Sequence, residues 1–277
     1  MIHLLYPRHF TQLLILVLAL TVTAPLAMAQ QQQDSMAGEL LDTLHQFRLQ
    51  NFIALNAYYN YSVTPDRDRV SDIEQAMNQS GRLLTKAQDK AGDSVSGNEM
   101  NDLSEAFVAF ERQMSNNVED IKTSGFPDLR LLSDMAEQAQ TLSLLSEDIY
   151  QQVASQDLTP TESKVELLRE ASITMALMVT RYSARSSSSV AQIFQGADTD
   201  MSIDELAARF DDLLAQLARD LTDQSQQALL SDAGSKWGFI RNSYINYDER
   251  NVSFVINRYS LQIMTSLENL IDRLKQA

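Results

Sequence analysis

The chain has 277 residues, 44% of them hydrophobic, with 22 Lys and Arg against 37 Asp and Glu, no Cys, 8 Gly and 5 Pro. That composition excludes collagen-like, disulfide-stapled and disordered classes, and the missing thiols remove cysteine nucleophiles, redox pairs and the usual structural zinc sites. A net charge of −15 argues against nucleic acid, whose phosphates would be repelled.

Residues 1–29 read as a signal peptide. Arg8 supplies the positive n-region, residues 13–22 (LLILVLALTV) an apolar core, and Ala27-Met28-Ala29 a small-x-small cleavage site. The apolar run is shorter than the roughly 20 residues of a membrane span, and Pro25 is expected to break it. Cleavage after Ala29 predicts a periplasmic or secreted product. The alternative is an uncleaved anchor, since the two differ only in length. No Cys follows the site to carry a lipid, and no later stretch reaches spanning length, so no transmembrane span is expected after cleavage.

Residues 30–33, all Gln, read as a polar tether leading into a first helical module over 34–156 and a second over 161–277. Pro65, Pro127 and Pro160 each stand where an apolar period restarts, as befits a residue tolerated in the first helical turn. Gly92, Gly97, Gly125, Gly196 and Gly234 fall between periodic segments and are expected to end helices. Together these positions predict about eight helices.

The apolar spacing is helical throughout. Near 128–155, Leu132, Met135, Ala139, Leu142, Leu145, Ile149 and Val153 follow a 3-4 pattern. Near 202–230, Leu206, Phe210, Leu213, Leu217 and Leu221 do the same behind a capping box, Ser202 to Glu205. Ile256, Ile263, Leu267, Leu270 and Leu274 mark one face at the C-terminus. The serines at 186–189 interrupt a period running from Met175 to Phe194 and predict a helix bent by hydroxyl bonds to its preceding turn. Nothing alternates at period two. The fold expected is all-α, an up-and-down antiparallel bundle.

The halves share a plan. Phe107, Phe110 and Met114 match Trp237, Ile240 and Tyr244 in spacing, and Leu142, Leu145 and Ile149 match Met264, Leu267 and Ile271. Either an internal duplication made two four-helix modules, or the match reflects only the period that all amphipathic helices share.

Catalytic signatures are absent from the sequence. His45 is the only histidine after the leader, no nucleophile elbow accompanies it, and one histidine is too few for a di-metal bundle site. It reads as a packed or surface residue. Asp198-x-Asp200-x-Ser202 begins like a calcium loop, but Ile203 stands where Gly is needed and Arg209 where the bidentate Glu is needed. No enzyme, cofactor or metal is therefore expected.

The binding candidates are cationic and aromatic. Arg181 and Arg185 are one turn apart beside Tyr182, and later helices add Trp237, Arg241, Tyr244, Arg258 and Tyr259. Arginine forks among aromatics on facing helices suit a small anionic ligand, though the same residues also serve as surface ion pairs and core filling. A rival patch is Asn56, Tyr58, Tyr59, Asn60 and Tyr61, read as an amphipathic contact surface.

The run Arg181-Tyr182-Ser183-Ala184-Arg185, then Phe210-Asp211-Asp212-Leu213-Leu214-Ala215-Gln216-Leu217, Trp237, and the Leu267–Leu274 stripe resembles PilJ-type helical sensor modules of bacterial chemoreceptors over about 165–275. The resemblance implies a helical ligand-sensing module. The chain departs from the family where its Gly-Arg-Gln-Arg-Met-Leu type signature would stand, and it shows no second span or cytoplasmic signalling region, which leaves a binding or accessory relative. Two functions follow. One is an exported sensor-like binding module for a small anion or an envelope or inner-membrane protein partner; the other is a structural adaptor of the envelope with no small ligand.

Overall fold

The computed structural model describes residues 10–92, 94–154, 160–187, 201–246 and 252–276, with side chains from Met36 onward except those of Leu129 and Pro160. Among the described residues there are eight helices and no strand: α1 (Phe10–Val63), α2 (Arg67–Ala91), α3 (Gly97–Ser124), α4 (Leu129–Val153), α5 (Pro160–Ser187), α6 (Ile203–Asp220), α7 (Gln224–Ile245) and α8 (Ser253–Gln276). The protein is an all-α, up-and-down bundle. Among the described residues no helix is long and apolar enough to cross a membrane.

Polar side chains start the helices by accepting otherwise orphaned N–H groups. Asp66 accepts from Arg69 N (2.8 Å), Asp128 from Arg130 N (2.7 Å) and Asp223 from Ser225 N (2.8 Å). Ser96 and Glu99 form a reciprocal capping box at α3. At α6 the Glu205 carboxylate reaches back to both the N–H and the hydroxyl of Ser202, each at 2.7 Å. Gly125 closes α3 at φ +82°, its N–H donating to Ile121 O at 2.9 Å; a side chain there would meet the left-handed penalty.

Some sequence-predicted boundaries move. Gly234 lies inside α7, and the break falls instead at 221–223, where Asp223 supplies a better cap than any glycine. That break also splits the 202–230 stripe, leaving Leu221 as the buried C-cap of α6. Gln30 to Gln33 and Pro25 lie within the continuous α1 rather than in a tether or at a break. The surroundings are rich in Ala, Leu, Met and Gln, all good helix formers. Ser186 and Ser187 do bond back to Tyr182 O (2.9 Å) and Ala184 O (2.7 Å); Ser188, Ser189, Phe194 and Gly196 lie outside the described residues.

Neighbour relations follow the same ring in each half. α1 packs on α2, α2 on α3, α3 on α4 and α4 back on α1; α5 to α8 repeat this order. The short connectors between α1 and α2, α2 and α3, α3 and α4, and α6 and α7 force those successive helices antiparallel. One apolar core lies inside the first ring around Phe47, Phe107, Phe110 and Met135, and another inside the second around Met175, Phe210, Trp237 and Leu267. The 3-4 stripes read from the sequence are the faces that fill these cores. α1 also packs lengthwise on α5, and Leu49 of α1 joins the second core while Ala184 of α5 joins the first. This shared seam positions the inter-ring cleft and the ionic cluster around Arg169.

Candidate functional site

Among the described residues, the arginine and aromatic side chains singled out in the second half are divided between the core and the surface. Tyr182, Trp237 and Tyr244 are buried core side chains in an aromatic chain. Tyr182 meets Tyr244 edge-on at 5.5 Å, Tyr244 lies 5.7 Å from Trp237, and Trp237 meets Phe210 at 4.9 Å. The Trp237 indole donates to Asp211 Oδ1 at 2.7 Å, and Arg241 Nε donates to both Asp211 oxygens at 3.0 and 2.8 Å. Partial burial works to raise the Asp211 pKa, but the bonds from Arg241 and Trp237 outweigh it and hold the carboxyl below its ordinary range. Arg181 donates to Met201 O, and the Tyr244 hydroxyl bonds Ser260 Oγ at 2.7 Å. Arg185 is half-buried at the end of α5. Arg258 is exposed, and Tyr259 stacks at 5.2 Å on the exposed Phe239.

The first-half patch splits in two. Tyr58, Tyr59 and Tyr61 are core residues rather than a contact surface, because that face of α1 turns into the first ring. Burial pushes the Tyr58 and Tyr59 phenols well above their ordinary range. Asn56 and Asn60 take the other face and line a cleft between the two rings.

That cleft has a volume of about 800 Å³, within the range of small-molecule sites. α1 and α5 form its floor, α2 one wall and α8 the other. The floor is a hydrogen-bonded set of neutral polar side chains. Asn56 Nδ2 donates to Asn257 Oδ1 (2.6 Å), Ser183 Oγ to Asn56 Oδ1 (2.7 Å), and Asn60 Nδ2 to Ser183 Oγ (3.2 Å). Asn56 and Ser183 are 3% and 2% exposed. Buried amides need this pairing, since an unpaired one would cost about 1–3 kcal/mol. On the α2 wall Arg69 is held by Asp66 (2.7 Å), and Arg82 bonds only the neutral Gln79 (2.6 Å). Phe254 stands exposed on the α8 wall.

Farther along the same seam lies a dense ionic cluster that sequence reasoning missed. Arg169 of α5, nearly inaccessible, pairs with Asp42 of α1 and Glu166, and donates to Tyr150 Oη of α4 at 3.0 Å. Lys275 of α8 also pairs with Asp42. Glu268 of α8 accepts from Ser172 Oγ (2.5 Å) and Gln46 Nε2 (2.5 Å) and bonds His45 Nε2 at 3.0 Å. Arg48 pairs with Glu147 and lies 5.6 Å over the Tyr150 ring. Burial lowers Arg169 to about 10 and, with Arg169 adding repulsion, Lys275 to about 8. Burial likewise raises Glu166. For Glu268 burial pulls upward, and the bonds from His45, Ser172 and Gln46 win, leaving it lowered.

Ser172, Glu268 and His45 are not a nucleophile relay. Hydroxyl and imidazole both bond the same oxygen, Glu268 Oε1, so the imidazole faces the carboxylate and not the hydroxyl. Among the described residues no group of three His, Asp or Glu side chains is placed to hold a metal ion. The members of the cluster are spread from residue 42 to residue 275, and each reads singly as a solvated charge. The one local signal was His45 set among Leu44 and Phe47, which read as either a packed or a surface residue and proves buried.

No family model matches the chain, and comparison with curated proteins and with solved structures gave no match.

Proposed function

We propose that this chain is an exported, sensor-like helical binding module that takes a small polar ligand in the cleft between its two four-helix rings. One observation carries the reading: a cleft of about 800 Å³ whose floor is built from buried, mutually bonded Asn and Ser side chains. Buried amides weaken a core that Leu or Ala would fill better, so a set of them opening on a cleft favours recognition over packing. The leader-like residues 1–29 and the resemblance of the second half to PilJ-type modules support the same assignment. The repeated ring order supports an internal duplication, with the cleft at the junction of the copies. In this reading the Trp237, Arg241 and Asp211 group braces the second ring.

A thermal-shift screen of amino acids, short peptides, carboxylates and sugars is the direct test. Stabilisation by a compound, abolished by Gln75→Trp on the exposed cleft wall with helicity unchanged, is the expected result. A compound that stabilises wild type and Gln75→Trp equally moves the site elsewhere.

The second reading, an envelope adaptor, is favoured by a different observation. Phe239, outside the cleft lining, is 67% exposed and packs at a tilt against Tyr259, ring centres 5.2 Å apart. Cross-linking of the purified chain to envelope extracts, lost on Phe239→Ser and kept in Gln75→Trp, distinguishes it.

A further inference from the structure

We infer that the ligand of the inter-ring cleft is a short extended peptide of about four residues with free termini. The inference rests on the cleft being the binding site and concerns what fills it.

The α2 wall carries opposite charges at its two ends. Asp68 and Asp72 line one end with no cation at ion-pair distance among the described residues, the neighbouring Arg69 being committed to Asp66. The proton affinity of Asp72 is raised by partial burial and by Asp68 and Asp66, which together outweigh the opposing pull of Arg69, so negative charge there is undercompensated. Arg82 lines the other end and bonds only the neutral Gln79 through Nε (3.1 Å) and Nη2 (2.6 Å). Its positive charge has no carboxylate partner among the described residues. Residues 72 and 82 are about 15 Å apart along a helix rising 1.5 Å per residue. An extended chain covers about 3.3–3.6 Å per residue, so roughly four residues place an ammonium at the aspartates and a carboxylate at the guanidinium.

Between the ends the site offers amide chemistry. Gln50, Gln75, Asn60 and Asn257 line the cleft beside Asn56. Asn60 Nδ2 is spent on Asn56 and Ser183, which leaves its Oδ1 as an acceptor; Asn257 Oδ1 is spent on Asn56, which leaves its Nδ2 as a donor. One free acceptor and one free donor match the N–H and C=O of a peptide unit. A purely anionic ligand would meet Asp66, Asp68 and Asp72 with Arg82 the one uncommitted cation among the described lining residues, so the anion preference expected of the arginine-rich second half does not transfer to this cleft.

Isothermal titration calorimetry of the full chain with tetra-alanine tests this. Saturable one-to-one binding is expected, at least tenfold weaker for the N-acetylated peptide and for Asp68→Asn/Asp72→Asn. C-terminal amidation and Arg82→Gln are expected to weaken it similarly. The acetylated peptide is expected to be indifferent to Asp68→Asn/Asp72→Asn, and the amidated peptide to Arg82→Gln, because each pair removes the same contact. Equal affinity for blocked and free peptides, or no binding of tetra-alanine, overturns the inference. If tetra-alanine fails while another compound stabilises wild type but not Gln75→Trp, the cleft reading stands and the peptide falls. If no compound does so, both fall.

Discussion

Replacing Arg169 by Met removes the cation at the centre of the inter-ring ionic cluster while keeping most of its apolar stem. The guanidinium is nearly inaccessible and holds Asp42, Glu166 and the Tyr150 hydroxyl at once. Its loss leaves Glu166, already raised by burial, facing a hydroxyl, and leaves Asp42 with Lys275 alone. Breaking a buried ion pair from one side typically costs about 3–5 kcal/mol. Here the side chains of Asp42 and Glu166 are 34% and 27% exposed, so water takes up part of that loss. We therefore expect about 2–3 kcal/mol, or a melting temperature roughly 5–10 °C lower in a chain of this size. Urea unfolding followed by circular dichroism at neutral pH reads it directly. Arg169→Met/Glu166→Gln is expected to recover part of the loss, because a neutral amide at 166 needs no counter-ion while Asp42 keeps Lys275. The reasoning fails if the single variant lies within 0.5 kcal/mol of wild type, a margin about that of surface substitutions, or if the double variant is no more stable than the single one.

Lys275 predicts an alkaline effect. Its pKa is lowered from 10.5 to about 8, so between those values the unfolded chain binds the proton that the folded chain has lost, and stability rises with pH. The rise is expected between about pH 8 and 9.5, before exposed tyrosines ionise in the unfolded chain, and Lys275→Met is expected to abolish it; a wild-type stability that falls across this window refutes the assignment. In the second ring, Asp211→Ala deprives the Trp237 indole and Arg241 of their acceptor, for an expected loss of roughly 1–3 kcal/mol. Trp237 is the sole tryptophan, so its emission reports the change without ambiguity, and because Asp211 is lowered, the wild-type bond is present above pH 3.8 and lost as pH falls through the lower folded value. An emission spectrum identical in the variant and in wild type would contradict the indole bond.

Much of the architecture was readable from local pattern. The stripe Leu206, Phe210, Leu213 and Leu217 is buried as its spacing required, and the stripe at Ile263, Leu267, Leu270 and Leu274 likewise. Asp66, Ser96, Asp128, Ser202 and Asp223 start five helices by bonds spanning two or three residues, within the reach of sequence reasoning. The glycine reading succeeded at Gly125, where backbone geometry demands it, and failed at Gly234, which α7 absorbs at a cost of about 1 kcal/mol. The site was far less readable. Asn56 and Asn60 stood in the sequence as half of a tyrosine-rich patch, and only the turn of α1 separates them from the tyrosines that enter the core.

Helical identity, capping and the inward face of each rod come from interactions reaching three or four residues along the chain, so the sequence alone determined them. Which charges meet depends on which rods are neighbours. Asp42 finds Lys275, His45 finds Glu268 and Asn56 finds Asn257 across more than two hundred residues, because α1 lies against α5 and α5 against α8. Those pairings, and the cleft beside them, were decided by the closing of two rings against a shared seam, since a side chain's electrostatic partner is set by distance in space and not by position along the chain.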